Sequence, residues 1–227
     1  MSYPIPNNST DLSGQTALVT GASSGLGRRF AKVLAACGAK VAVTGRRMDR
    51  LQEVAAEIRA DGGIAEPLAL DVTDADQLIA VVEQAQQALG LVTILVNNAG
   101  IPDAQRATKM PLDLIDRVLD TNLRAPFILS CEVARRLMEA KSPGRMVNIS
   151  SMAAFEYRGG GAALYSVSKA GIARMTEALA VEWARFHINV NGIAPGLVPT
   201  KLTSVTTDNP ERLEASLRKI PLRRMGT

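Results

Sequence analysis

Short apolar segments rich in β-branched residues alternate along the chain with longer segments of helical period. The first two are residues 16–20, which read TALVT, and residues 25–38, which have the pattern of an amphipathic helix. Five apolar residues fall on one face of this predicted helix: Leu26, Phe30, Val33, Leu34 and Cys37. The pattern therefore predicts a strand followed by a helix.

The same alternation continues along the chain. It predicts further strands at residues 40–44, 67–72, 93–100, 145–151 and 188–196. It predicts further helices at about residues 48–60, 75–89, 126–140 and 162–186. Strands without charges in their centres are typical of a parallel sheet that is covered on both faces. We therefore expect one doubly wound α/β domain at residues 13–227, with a mostly parallel sheet, helices on both faces and an N-terminal extension at residues 1–12.

Composition limits the class of protein further. With 227 residues, of which 47% are hydrophobic and 21% are charged, the chain can form a well-packed core. Its longest apolar runs are far shorter than the roughly 20 residues that span a bilayer. Because the amino-terminal stretch also lacks the basic start and apolar core of a secretion signal, we expect a cytoplasmic protein. The two cysteines, Cys37 and Cys131, are predicted to be reduced thiols in helices.

Residue usage argues against several kinds of site. The chain has one histidine, His187, and no paired-cysteine spacing, so no metal site and no serine hydrolase triad of the usual form is expected. The net charge of +4 comes from basic residues scattered among acidic ones, and aromatic residues make up only 4% of the chain. Solvated helix faces are therefore favoured over a nucleic-acid surface.

A glycine-rich turn joins the first predicted strand to the first predicted helix. Residues 20–27 read TGASSGLG, with glycines at positions 21, 25 and 27. Glycines at such a place allow a tight turn and a close approach to a phosphate, and the amides at the start of the helix point at the anion. The alternative is a turn that serves close strand–helix packing. Because the turn directly follows the first strand, nucleotide binding is favoured.

The end of the second predicted strand bears on which dinucleotide is bound. An acidic residue there would accept hydrogen bonds from the adenosine ribose, but this chain has Gly45, Arg46 and Arg47. A guanidinium can hold the extra phosphate of NADP with two hydrogen bonds, whereas a carboxylate would repel it. NADP(H) is favoured over NAD(H), and a pair of solvated arginines is the alternative.

Tyr165 and Lys169 lie four residues apart in the stretch YSVSK, so both side chains share one face of a predicted helix. A free tyrosine, with a pKa of about 10, is a poor partner in proton transfer at neutral pH until a cation stabilises its anion. Lys169 can supply that charge. Such pairs are also common on helix surfaces, so the pair by itself does not indicate catalysis.

In order and spacing, seven motifs resemble the short-chain dehydrogenase/reductase family over nearly the whole chain: TALVTGASSGLG, LDV (70–72), NNAG (97–100), TNL (121–123), NISS (148–151), YSVSK and APG (194–196). The chain is most similar to the branch that contains 3-oxoacyl-carrier-protein reductases and bacterial alcohol, sugar and steroid dehydrogenases. The resemblance implies a Rossmann-like fold. It also implies that NADP(H) exchanges a hydride with a ketone or 3-oxoacyl group and the matching secondary alcohol.

The resemblance also implies roles for individual residues. The catalytic tetrad would be Asn122, Ser151, Tyr165 and Lys169. Tyr165 would be the general acid or base, Ser151 would bind the substrate oxygen together with Tyr165, and Asn122 would hold a water that links Lys169 to solvent. Ser150 is the alternative serine, and family members place the catalytic one last in the run. The cofactor would contact Gly21, Ser23, Ser24, Gly25, Leu26, Gly27, Arg46, Arg47, Asp71, Val72, Asn98, Ala99, Gly100, Tyr165, Lys169, Pro195, Gly196, Val198 and Thr200.

Further expectations concern the C-terminal part and assembly. Relatives continue through another helix and a last strand, so the resemblance implies that this sequence is truncated at its C-terminal end. It implies a mobile lid from about Leu202 to Ile220, with a plain surface helix and a flexible lead-in as an equal alternative. Helices at Cys131–Met138 and Ala170–Trp183 resemble those that form family dimers and tetramers, and we expect a homotetramer or a homodimer.

Three other functions remain open. An NAD(H)-dependent alcohol, sugar or steroid dehydrogenase of the same family differs only in cofactor and substrate. A nucleotide-sugar epimerase or dehydratase also uses a tyrosine and lysine pair, but such enzymes are longer and have a substrate domain that is absent here. A non-catalytic dinucleotide sensor is disfavoured because the tetrad is intact.

Overall fold

A computed structural model describes residues 9–103, 105–157, 159, 161–200 and 203–226. Its strands are β1 (Thr16–Val19), β2 (Lys40–Gly45), β3 (Ile64–Ala69), β4 (Val92–Asn97), β5 (Gly144–Ile149) and β6 (Ile188–Ile193). Its α-helices are α1 (Gly25–Ala36), α2 (Met48–Ala60), α3 (Ala75–Leu89), α4 (Leu112–Leu119), α5 (Ala125–Glu139), α6 (Ala163–Trp183), α7 (Ser204–Thr207) and α8 (Pro210–Leu217). A π-helical turn at Asp120–Arg124 joins α4 to α5, and 3₁₀ turns occur at Ala107–Lys109, Met152–Ala154 and Ala184–Phe186.

The six strands form one parallel sheet in the order β3-β2-β1-β4-β5-β6. Strand order reverses between β1 and β4, which are neighbours in the sheet: Leu18 of β1 pairs with Ala42 of β2 on one side and with Leu95 of β4 on the other. The predicted doubly wound α/β domain is confirmed. In such sheets the crevice for a ligand lies outside the carboxyl ends of the strands at the reversal point.

Alternate residues of the strands enter two separate cores, one on each face of the sheet. In β1, Leu18 packs with residues of α3, α5 and α6, whereas Ala17 and Val19 pack with residues of α1 and α2. This two-residue alternation follows from the strand geometry, in which successive side chains point to opposite faces. The helix α6, which contains Tyr165, packs on the first face through Ile172, Met175 and Leu179.

The face that α1 buries differs from the predicted one. Gly27, Ala31 and Ala35 are its buried residues, whereas Val33 is exposed. Phe30 and Leu34 are partly buried at the margin of the core. Small residues allow the helix axis to approach the sheet closely, and this packing overrides the wider apolar face that the sequence pattern favours.

Other elements also differ from the prediction: β4 ends at Asn97 and β6 at Ile193, each three residues before its predicted end. Strand β3 begins at Ile64 and ends at Ala69, so the expected strand at 67–72 is displaced by three residues. It is an edge strand whose length follows its pairing with β2, from Lys40 opposite Ile64 to Gly45 opposite Ala69. An edge position also tolerates Pro67, which has no N–H to donate. Helix α4, of which only Val118 is buried, was not predicted.

The remaining predictions on the fold have mixed outcomes. The helix predicted at 162–186 is confirmed by α6 together with the 3₁₀ turn that follows it. Cys37 and Cys131 are free and partly buried. In the part of the chain that the structure describes, no helix has the length and apolarity needed to cross a bilayer. The expected extension falls largely on residues 1–8, which lie outside the described residues. The start of the expected lid, Leu202, lies outside them as well, and α7 and α8 lie within the rest of that segment, whose role as a lid stays a prediction.

Candidate active site

A cleft of about 1250 Å³ lies at the carboxyl ends of the strands. It is lined by the segments that follow all six strands, because parallel strands present their carboxyl ends at the same edge of the sheet. All the predicted site residues line this cleft except Gly27 and Asn122, which lie behind its wall. Residues from seven sequence motifs are thus brought together in one cavity.

The glycine turn after β1 leaves backbone amides free at the start of α1. Gly21 and Gly25 have φ angles of +64° and +56°, which favour glycine. Ser24 precedes the helix but its side chain makes no capping hydrogen bond, and the first turn of α1 has no acidic residue. A side chain on Gly25 would meet Thr200 at 3.5 Å, so it would fill the gap between the turn and the segment after β6. The glycine turn and the first amides of α1 therefore form a site that fits a phosphate group.

Thr20 and Asn98 hold the turn against the end of β4. The Asn98 side-chain amide donates to the carbonyl of Thr20 at 2.9 Å, and the Thr20 hydroxyl accepts from the backbone amides of Asn98 and Ala99 at 3.0 Å each. These bonds join β1 and β4 where strand order reverses. The sequence prediction missed Thr20, since a threonine at the end of an apolar strand has no distinctive spacing.

Arg47 lies beside the glycine turn. Its guanidinium donates to the hydroxyl of Ser23 at 2.9 Å and to that of Ser24 at 3.4 Å. Arg46 also lines the cleft. Asp71 lines the cleft too, and its carboxylate accepts from the amide and hydroxyl of Thr73, at 3.0 and 2.8 Å, so its orientation is fixed locally.

Lys169 is buried in the wall of the cleft. Only 4% of the residue is exposed, and its Nζ donates to the carbonyl of Ile149 at 2.8 Å. Burial lowers the pKa of Lys169 to about 8, because desolvation disfavours the ammonium. Nζ lies 5.8 Å from the centre of the Tyr165 ring, so the two side chains share one helix face as predicted.

Tyr165 and Ser151 interact in the cleft. Burial raises the pKa of the Tyr165 phenol, a hydrogen bond with Ser151 lowers it, and the negative charge of Asp103 raises it. Ser151 is also positioned by the Ala153 amide, which donates to its hydroxyl at 3.1 Å. Ser150 is instead buried, and its hydroxyl donates to the Lys169 carbonyl at 2.8 Å. The geometry thus places Ser151 beside the Tyr165 hydroxyl and gives Ser150 a structural bond.

Asn122 is fully buried in the π-helical turn between α4 and α5. Its side chain accepts from the Ile101 amide and donates to the Ile101 carbonyl, both at 2.9 Å, and donates to the Ser168 hydroxyl at 3.1 Å. A Cβ atom on Gly100 would lie 3.4 Å from both Asn122 Oδ1 and Lys169 Nζ. Asn122 therefore fixes the loop after β4 next to Lys169, and its role in holding a water stays a prediction.

Thr203 and Asp103 also line the cleft, and the sequence did not point to either of them. The Thr203 hydroxyl donates to the Val198 carbonyl at 2.7 Å and accepts from the Thr200 amide at 3.0 Å. These bonds connect the start of the predicted lid to the segment after β6. Neither residue belongs to a recognisable motif. Each lies in a segment that connects regular elements, Asp103 after β4 and Thr203 before α7.

Comparisons with known proteins agree with this geometry. The short chain dehydrogenase family model matches residues 15–211. The chain is 37% identical to the 3-oxoacyl-[acyl-carrier-protein] reductase of Synechocystis sp., over 96% of this chain and 85% of that protein. It is 34% identical to the gluconate 5-dehydrogenase of Gluconobacter oxydans, over 95% of this chain and 83% of that protein.

A solved structure shows the same fold with a cofactor. The Pseudomonas aeruginosa RhlG/NADP active-site complex superposes with a TM-score of 0.89 at 30% identity, covering 98% of this chain and 88% of that chain. The extent of these matches means that the chain belongs to the short-chain dehydrogenase family and is an oxidoreductase of CH–OH and carbonyl groups.

Proposed function

We propose that the protein interconverts a carbonyl group and a secondary alcohol with NADP(H), and that Tyr165 is the general acid or base. One observation carries this proposal: Tyr165 is hydrogen-bonded with Ser151 and lies next to the buried side chain of Lys169. The same cleft contains the uncapped amides of α1, which suit the phosphates of a dinucleotide.

Each of these side chains has a distinct task in the proposed reaction. A bound nicotinamide would supply or accept the hydride, so the protein's own contribution is binding, orientation and charge. The Ser151 hydroxyl holds the substrate oxygen. The Tyr165 hydroxyl donates a proton to that oxygen during reduction and accepts one during oxidation. Lys169, with a pKa of about 8, is largely charged at neutral pH and stabilises the phenolate through space.

The direct test is a substrate screen in both directions. We expect the purified protein to oxidise NADPH with at least one ketone, in a panel that includes a 3-oxoacyl thioester and a keto sugar acid, the chemistries named for two relatives. Product analysis would separate net oxidation or reduction from the internal hydride return of an epimerase. Tight cofactor binding with no turnover across the panel would contradict the proposal and favour a dinucleotide sensor.

The preference for NADP(H) is supported by Arg46 and Arg47 and by the NADP complex of RhlG. We expect Arg47→Ala to lower kcat/KM for NADPH by about 10- to 100-fold, because a charge-assisted bond to the extra phosphate is lost. The value for NADH should change little. Arg50→Ala is the matched control, since Arg50 pairs with Glu53 on the same helix and lies outside the cleft lining. An equal loss with both cofactors would contradict the assignment.

Assembly and location stay predictions. A homotetramer or homodimer is supported by exposed apolar side chains on the two helices that resemble family interfaces, Phe127 on α5 and Val167 and Val181 on α6. The cytoplasmic location rests on the sequence alone.

A further inference from the structure

Asp103, in the loop after β4, is a buried carboxylate beside the catalytic tyrosine. It is 4% exposed and lines the cleft. One of its oxygens, Oδ2, accepts from the backbone N–H of Leu164 at 3.0 Å. The other oxygen, Oδ1, is buried and has no hydrogen-bond partner among the described residues. Unpaired buried polar atoms are rare in proteins, so this arrangement calls for an explanation.

Through its bond to Leu164, Asp103 caps the N-terminal end of α6, although it does not belong to that helix. Helix α6 begins at Ala163, and the residue before it, Ala162, has no side chain that can cap the free amides of the first turn. Asp103 supplies that cap from a loop 61 residues earlier in the chain than Leu164. Tyr165 directly follows Leu164, and Lys169 lies one turn further on. The cap therefore ties the start of the helix, and with it Tyr165, to the loop after β4.

The carboxylate also acts on Tyr165 through its charge. Within the described ranges, three elements bring polar or charged groups to the phenol: Lys169 on α6 itself, Ser151 from the segment after β5, and Asp103 from the loop after β4. Among these, the negative charge of Asp103 opposes formation of a phenolate and raises the pKa of Tyr165. Among the residues that the structure describes, Oδ1 has no hydrogen-bond partner and the N–H of Leu164 is the one donor to this carboxylate.

We propose that Asp103 is a positioning residue for the reaction: it fixes the first turn of α6 through Leu164 and places a negative charge near the phenol of Tyr165. Tyr165 is thereby held in place for proton exchange with the substrate oxygen. This inference rests on the proposed role of Tyr165 as general acid or base.

The test compares Asp103→Asn with Asp103→Ala. An asparagine oxygen can still accept from the Leu164 amide, so Asp103→Asn keeps the cap and removes the charge. Because loss of the negative charge lowers the pKa of Tyr165, and alcohol oxidation needs the phenolate, the midpoint of kcat/KM against pH for oxidation should move to lower pH. In Asp103→Ala the same shift is expected together with a fall in kcat of about tenfold, since the cap is lost as well.

Asp74 provides a matched control. It caps α3 by accepting from the amides of Asp76 and Gln77 at 3.0 and 3.1 Å, and it lies outside the cleft lining. Asp74→Asn and Asp74→Ala should keep the wild-type midpoint and kcat. A wild-type midpoint in Asp103→Asn would overturn the electrostatic part of the proposal, and equal kcat values in Asp103→Asn and Asp103→Ala would overturn the capping part.

This experiment is separate from the test of the proposed function. If Tyr165→Phe retains turnover, the proposed function fails. If Tyr165→Phe is inactive but both Asp103 variants behave as wild type in midpoint and kcat, only the role of Asp103 fails.

Discussion

Tyr165→Phe is expected to lower kcat for carbonyl reduction by about 10²- to 10⁴-fold, the usual contribution of a general acid or base. The variant loses only the phenol oxygen, which is the atom that would exchange a proton with the substrate. The ring remains, so its contact with Lys169 at 5.8 Å and the packing around it should persist. The loss should therefore appear in turnover and not in cofactor binding.

The measurement combines steady-state kinetics with a fluorescence titration of NADPH. Tyr157→Phe is the matched control, because Tyr157 is 53% exposed and lies outside the cleft lining. It should keep wild-type kcat. Turnover within about threefold of wild type in Tyr165→Phe would contradict the assigned mechanism, since such a small effect is far below the range for acid–base catalysis.

Gly27→Ala is expected to destabilise the protein by about 1 to 3 kcal/mol, the usual effect of an overpacked site. Gly27 lies in the first turn of α1, where alanine has the higher helix propensity by about 1 kcal/mol, so propensity alone predicts the opposite sign. A Cβ atom at this position would lie 2.5 Å from Asn98 Nδ2 and would also clash with the Gly21 carbonyl oxygen. Gly21 belongs to the turn that we expect to bind phosphate and Asn98 holds that turn in place, so NADPH affinity should fall as well.

Denaturant unfolding and a cofactor titration would measure these two effects. Gly192→Ala is the control, because a Cβ there would meet Thr176 at an ordinary 3.6 Å and the residue does not have a positive φ. That variant should remain close to wild type in stability and in cofactor affinity. A Gly27→Ala protein that is as stable as wild type would show that the strand and helix are not in tight contact here.

Much of the fold could be predicted because its elements have local signals. The helix of residues 163–183 and the buried strands have clear periods and lengths. The boundaries of β3 could not be predicted, because Leu70 and Val72 continue the apolar pattern on either side of Asp71 and only pairing with β2 ends the strand at Ala69. The buried face of α1 was misjudged because contact with the sheet selected its small residues.

The candidate site likewise contains residues that the sequence identified and residues that only the structure revealed. The glycine turn, Ser151, Tyr165 and Lys169 could be identified because each belongs to a motif of fixed spacing. Asn122 was identified too, but its bonds to both backbone groups of Ile101 were not foreseen. Asp103 had no signal, since a single acidic residue in a loop is ordinary.

The sequence by itself determined the class of fold, the family and the residue types that the chemistry needs, because periodicity and motif spacing are local properties of the chain. Tertiary structure alone decided which hydroxyl faces Tyr165, that the Lys169 ammonium is desolvated, and that the Asp103 carboxylate caps the helix that contains both. Burial and charge depend on neighbours that are distant in sequence. The loops after β4 and β5 become neighbours only when parallel strands bring their carboxyl ends to one edge of the sheet.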